Sequence, residues 1–177
     1  VVTQRFKNPL LGPVFDRLRG CTGHEVLTQE KAFIRMFKHL KKGKKFFMLT
    51  DLTLDPREAS VIIDCFGKKT CVTQLHAAMA LRTGAKIVPV ECQPRADGGY
   101  LVKVHPPVEW PEGAEEQEIT QLAWDALESS IRARPELWIW AYKHWRFRPS
   151  EAPIEDYPFY ANSARRFDKK LPTAKSE

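Results

Sequence analysis

The sequence predicts an α/β fold, a mainly parallel sheet flanked by helices, from three observations. Between Ser60 and Glu91 a β-branched run (Val61, Ile62, Ile63) leads through a Gly-Lys-Lys turn into an Ala-rich helical segment, Thr73 to Arg82. Past Thr83-Gly84 a second run follows, Ile87 to Val90, so the order reads as strand, helix, strand. Both strand candidates are almost unbroken in apolar residues, which fits strands covered on both faces better than a half-exposed antiparallel sheet. Ala77, Ala78 and Ala80 are small enough to let the helix lie close to that sheet.

The other elements follow along the chain. Val1 to Phe6 reads as a strand, and Asn8-Pro9 starts a helix, since Asn caps free amides and Pro is tolerated at the first helical position. Leu10, Leu11, Val14, Phe15 and Leu18 continue it at helical spacing, and Gly20 stops it. Glu25 to Leu27 reads as a short strand. A second helix, from Thr28 onward, places Phe33, Met36, Phe37 and Leu40 on one face and Lys31, Arg35, Lys38, Lys41 and Lys42 on the other. That basic face is either a solvated surface or an anionic-surface contact.

Phe46-Phe47-Met48-Leu49 reads as a buried strand that delivers Asp51 into the polar loop DLTLDPREA, at the end of a strand where open parallel sheets build sites. An Asx-type cap of the loop accounts for Asp51 equally well. Arg57 in the same loop stands where a phosphate clamp would. Cys92 to Val104 reads as a hairpin turning at Asp97-Gly98-Gly99, and Pro106, Pro107 and Pro111 punctuate the connection after it. An amphipathic helix runs from Glu115 to Ala133, and Pro135 ends it. The aromatic segment ELWIWAYKHWRFRP then reads as an interfacial belt or as a lid on the core; the lid is preferred because Trp is usually well buried in a soluble domain. After Ser150 the polar, Pro-punctuated tail is expected to wrap the surface loosely, with little structure from Lys170 to Glu177.

With 177 residues, 43% of them apolar, and five Trp, the chain can fold as one domain. Lys and Arg exceed Asp and Glu by 28 to 22, a net +6 that favours anionic partners such as phospholipid surfaces, acidic carrier proteins, nucleic acid or phosphorylated metabolites. Cys21, Cys65, Cys71 and Cys92 show no C-x-x-C spacing, so no metal site is predicted and buried free thiols are the expectation. No apolar run approaches the roughly 18 residues a membrane span needs. Walker, dinucleotide, nucleophile-elbow and zinc-helix motifs are absent. None of His24, His39, His76, His105 and His144 begins a His-x4-Asp/Glu spacing, which would set an imidazole beside its orienting carboxylate. The chain opens on Val1-Val2 within a strand pattern, which predicts a fragment or processed chain.

Five segments in order, RFKNPLL, MLTD, SVIIDCFGKKT, ALRTGAKIVPV with its Asp-Gly-Gly hairpin, and RPELWIWAYKHWRFRP, resemble the lipid A late acyltransferases of the lysophospholipid acyltransferase superfamily. The joint order is far more specific than any one motif. The resemblance implies a glycerolipid-acyltransferase-like domain over residues 1–149, missing its N-terminal part, and a C-terminal tail over residues 150–177. It implies O-acyl transfer from acyl carrier protein, or an acyl thioester, to a hydroxyl of a lipid A precursor, a related glycolipid or a lysophospholipid. It also implies no cofactor, a membrane-surface partner, no nucleic acid, and a place on the cytoplasmic face of the bacterial inner membrane.

Position by position, the resemblance carries over Arg5 and Asn8 with Pro9, where the family's arginine helps bind acceptor phosphate. It carries over Asp51 and Arg57 in the second block, Phe66-Gly67, Arg82 at the head of the Arg-Thr-Gly segment, and Pro135, Glu136, Trp138, Trp140, Trp145, Arg148 and Pro149. Substrate binding is thus expected of Arg5, Asn8, Asp51, Arg57 and Arg82. Leu52 replaces the usual Gln, Lys86 a frequent Pro, and Tyr142 and His144 the usual His and Arg. The family's His-x4-Asp/Glu, whose His deprotonates the acceptor hydroxyl, would lie before Val1, so this chain is expected to bind substrate without catalysing. The rival readings are a non-catalytic lipid- or carrier-binding module and, ranked lower, a basic nucleic-acid-binding domain.

Overall fold

The computed structural model describes residues 2–3, 8–23, 25, 27–28 and 32–171. The chain divides into two compact units, residues 1–49 and 50–177. In the first, β1 (Val2–Thr3) and β2 (Leu27–Thr28) pair in parallel, and α1 (Leu11–Gly20) and α2 (Ala32–Lys41) are its helices. α1 begins at Leu11 with no side-chain cap, later than the Asn8-Pro9 start expected; Asn8 instead forms the turn that leads into it, its Oδ1 accepting the Leu10 N–H at 2.9 Å and its carbonyl the Leu11 N–H at 3.3 Å. α1 buries none of its side chains, whereas α2 buries Ala32 and Met36. Gly43, at φ +73°, ends α2 in a Schellman motif, with Gly43 N–H bonding Leu40 O and Lys44 N–H bonding His39 O.

The second unit is organised on an antiparallel ribbon, β3 (Ser60–Cys65) with β4 (Lys68–Thr73), in which Ile62 faces Cys71 and Cys65 faces Lys68. Phe66 and Gly67 close it with φ of +52° and +77°, the two positive values a type I′ hairpin turn requires. Then follow α3 (Leu75–Thr83), the hairpin of β5 (Val90–Pro94) and β6 (Tyr100–Val104), and α4 (Glu116–Ala133). The two-residue strands β7 (Phe147–Arg148) and β8 (Asn162–Ser163) pair in parallel, and a single turn, α5 (Arg165–Asp168), ends the unit.

This corrects the expected fold class. The described strands form four separate pairs, the two longer ones antiparallel and the two two-residue ones parallel, so there is no mainly parallel sheet. Val61 to Ile63 pairs with the segment directly after it instead of crossing over to Ile87–Val90, of which only Val90 lies in a strand. Residues 46–49 form no strand either. The apolar run was a sound sign of two-sided burial, but the covering layers are not those of a parallel sheet. Val61, Ile63, Cys65 and Val72 face Trp124 of α4 and Trp145, while Ile62 and Cys71 face Phe167. Ala77 of α3 packs on Ala114 and Ile119 at the start of α4, with Ile87 and Trp110 beside them.

The tail is anchored in the core through Phe167, although much of it, Ile154 and Phe159 included, is exposed. Phe167 is fully buried, and the Lys170 ammonium donates to the carbonyls of Glu58 (2.7 Å) and Ser60 (3.0 Å) and to Ser60 Oγ (2.8 Å). Residues 172–177 lie outside the described residues. Cys65 and Cys71 are buried thiols, and burial pushes Cys71 up to about 11; Cys21 and Cys92 are exposed, unlike the expectation, because neither α1 nor the β5–β6 ribbon buries them. Among the described residues no helix is long and apolar enough to cross a membrane.

Two measurements test this packing. Phe167→Ala should destabilise the protein by about 3–5 kcal/mol in denaturant unfolding, because it uncovers one face of the ribbon. His76 on α3 has both ring nitrogens buried without a partner, and burial pulls it down to about 4. A folded value below the ordinary 6.5 means the unfolded chain binds the proton more readily. Stability is therefore full above pH 6.5 and falls as the pH drops toward 4. His76→Leu should flatten that part of the stability–pH profile.

Candidate functional site

The loop from Asp51 to Glu58 holds two of the expected substrate-binding residues, and it is stitched to the ribbon. Thr53 bridges Val72 and the Leu54 N–H bonds Cys71 O at 2.9 Å, which extends the β4 edge into the loop. Buried Thr53 and Thr70 both donate their hydroxyls to the His144 carbonyl, Thr70 at 2.8 Å. The Thr53 carbonyl in turn accepts the Tyr142 hydroxyl at 3.3 Å and the Arg146 guanidinium. A buried loop backbone needs partners of this kind, and here the 138–148 segment supplies them.

Asp51 is half-buried, and its Oδ2 accepts the Trp138 indole N–H at 3.1 Å. Trp138 stacks on His144 with centroids 3.9 Å apart and planes 18° from parallel, and it meets Trp140 edge-on at 4.8 Å and Phe66 at 5.4 Å. Burial holds the His144 imidazole below its ordinary range. Its Nε2 lies 3.1 Å from Ile139 O; a carbonyl only accepts, so Nε2 carries the proton of that bond. The aromatic segment is therefore mainly a packed layer, as the lid reading expects, with Ile139 and Trp140 left exposed.

Arg57 is exposed, but its fork is occupied. Nε donates to Asp55 Oδ1 at 2.9 Å and Nη2 to Asp55 Oδ2 at 2.6 Å, a bidentate pair. Bonds from the Arg57 side chain and backbone hold Asp55 down at about 2. A phosphate at Arg57 would have to displace Asp55. Arg82 is exposed on the last turn of α3, where the Arg-Thr-Gly segment acts as a helix stop: Gly84 takes φ +73° and its N–H bonds Ala80 O at 2.8 Å. Asn8 is exposed in the first unit, and Arg5 lies outside the described residues. Only Asp51 and Arg57 thus share an element.

The residues that hold Asp51 and its loop, Trp138, Tyr142, His144 and Arg146, are ones that sequence reasoning did not assign to the site. No local pattern marks them: residues 138–146 form bends and turns, so the every-second-residue spacing of ring side chains at 138, 140, 142 and 144 does not by itself aim them at one layer.

A second polar cluster lies at the β5–β6 ribbon. His105 Nε2 is 3.1 Å from Glu91 Oε1 and 3.3 Å from Ser130 Oγ, beside an open groove of about 500 Å³ lined by Pro106, Val108, Leu122 and Ala126 among others. Both contacts fall on the same ring nitrogen. A hydroxyl activated by an oriented imidazole needs its acid on the opposite nitrogen, so the cluster is not built as a nucleophile relay.

A family model of bacterial lipid A biosynthesis acyltransferases matches residues 1–147. The lipid A biosynthesis lauroyltransferase of Escherichia coli (strain K12) is 30% identical over 152 residues, covering 82% of this chain and 48% of that protein. The chain therefore spans about half the length of this relative.

The Asp55–Arg57 pair gives a direct titration test. The folded value of Asp55, about 2, lies below its ordinary 3.8, so its contribution to stability is present above pH 3.8 and is lost as the pH falls through 2. Carboxyl NMR titration should find Asp55 near 2 and, in Arg57→Ala, raised part of the way toward its ordinary value, because the bond from the residue 57 N–H to Asp55 Oδ1 remains.

Proposed function

The chain belongs to the bacterial lipid A biosynthesis acyltransferase family, and from that premise we propose that it carries the substrate-binding part of an enzyme moving a fatty acyl chain to a hydroxyl of a lipid A precursor or related glycolipid. The donor is acyl carrier protein or another acyl thioester, and the reaction takes place at the cytoplasmic face of the inner membrane. Residues 1–149 form the acyltransferase portion in this reading. The family match over residues 1–147 is the observation that carries it.

The proposed chemistry divides the work. A His-x4-Asp/Glu pair outside these 177 residues removes the acceptor hydroxyl's proton, and the freed oxygen attacks the thioester carbonyl. The thiol leaves and takes up the proton, without a covalent acyl-enzyme. Arg5 and Arg57 meet the acceptor's phosphate, Arg57 by exchanging Asp55 for it; Asn8, Asp51 and Arg82 complete the binding set. A net positive chain suits both an acidic carrier and an anionic membrane.

An acyl-transfer assay on the full-length gene product, with carrier thioesters and lipid acceptors, tests the reading. Transfer should disappear when the His of His-x4-Asp/Glu becomes Ala. No transfer from either form, with vesicle or carrier binding retained, would turn the reading to a non-catalytic binding module. Arg5→Ala should weaken acceptor binding by about tenfold, the scale of one charge-assisted hydrogen bond, while leaving the melting temperature close to that of the parent. Unchanged acceptor affinity would remove Arg5 from the phosphate role.

A further inference from the structure

Asp51 has one oxygen held and one open. Trp138 Nε1–H occupies Oδ2 at 3.1 Å, and among the described residues no donor reaches Oδ1. The indole that does the holding is locked on several sides. His144 stacks on it at 3.9 Å, Trp140 stands edge-on at 4.8 Å, and Phe66, Trp124 and Trp145 lie 5.4, 6.0 and 6.3 Å away. His144 is itself fixed by its Nε2–H to Ile139 O. A ring packed in this way cannot swing its N–H elsewhere without repacking the whole layer, so the direction of the Asp51 carboxylate is set by the aromatic layer rather than by the loop that bears it.

We propose that Trp138 is a positioning residue for substrate: it fixes Asp51 so that Oδ1 accepts a hydrogen bond from a hydroxyl of the acyl acceptor. The proposal rests on the acyltransferase reading above. The charge at Asp51 decides the kind of group it meets. A phosphate would face a like charge there, so the acceptor's phosphate lies elsewhere and a neutral donor comes to Asp51. Holding one carboxylate oxygen also removes the rotation that an exposed Asp would have to lose on binding. Trp138 touches no reacting atom in this arrangement; it acts through Asp51.

The experiment combines equilibrium binding of a detergent-dispersed lipid A precursor to the full-length gene product with the indole N–H resonance of Trp138. Trp138→Phe keeps a ring in the stack but loses the donor. It should weaken acceptor binding by about three- to tenfold, Asp51→Asn should weaken it at least as much, and the double variant should be no weaker than Asp51→Asn alone. The indole resonance should shift when the precursor is added to the wild type and stay in place in Asp51→Asn, a response that a merely structural tryptophan would not give. Wild-type affinity in Trp138→Phe, or an equal loss in the Asp51→Asn background, overturns the proposal. Should Trp138→Phe not fold, an indole resonance unmoved by the precursor overturns it instead. Wild-type binding with Asp51→Asn unaffected removes this proposal alone, whereas a wild type that binds no precursor removes the functional reading and this proposal together.

Discussion

Two strands with apolar side chains on both faces cannot be buried by a single layer, and the second unit is arranged around that need. β3 and β4 turn Val61, Ile63, Cys65 and Val72 one way and Ile62 and Cys71 the other. Among the described residues no further strand joins this pair beyond the Thr53 bridge, and cover comes from elsewhere in the chain: Trp124 and Trp145 on one face, Phe167 on the other. Each large apolar side chain buried in this way contributes about 1.5–3 kcal/mol. The chain therefore closes on itself over long sequence separations, and Phe167, close to the last described residue, is as much core as the hairpin it covers.

Glu128 of α4 secures the turn that makes the ribbon possible. Its carboxylate accepts the Phe66 N–H and the Trp124 indole N–H and pairs with Arg132 at 2.7 Å. Burial pushes its proton affinity up, but those donors outweigh it and hold the group below its ordinary value. Phe66 is the only described non-glycine residue with positive φ, a conformation with a steric cost for any side chain. That backbone swings the Phe66 ring in among Trp124, Trp138, Trp140 and Trp145, and Arg132 caps it from 4.9 Å. The layer that stabilises the hairpin is thus the layer that holds Asp51, so the fold and the candidate site draw on the same side chains.

Charge is divided unevenly between the two units. Residues 1–49 hold 11 Lys and Arg against 3 Asp and Glu, a net +8, and residues 50–177 hold 17 against 19, a net −2. The excess positive charge of the whole chain therefore lies in the first unit, whose helix α2 carries Arg35, Lys38 and Lys41. In the second unit several basic side chains are paired: Arg57 with Asp55, Lys69 with Asp64, Arg95 with Asp97, Lys103 with Glu91 and Arg132 with Glu128. Such exposed pairs add little stability, but each one occupies a donor that a phosphate would otherwise take.

The sequence alone determined what local rules control. Helical spacing placed α1 to α4, Gly20 ended the first, and Asp97-Gly98 placed the β5–β6 turn, with Gly98 at φ +81° as such a turn needs. The ordered motifs also identified the family, since five segments in register carry information that no single one does. Tertiary structure decided the rest. An apolar run such as Val61–Ile63 reports that two faces are covered but not by what, and a turn through Phe66 carries none of the Asn-Gly signal by which hairpins are read. The bond between Asp51 and Trp138 joins residues 87 apart. Local propensity is blind to such a contact, because it is made only when the ribbon draws both segments onto the same face.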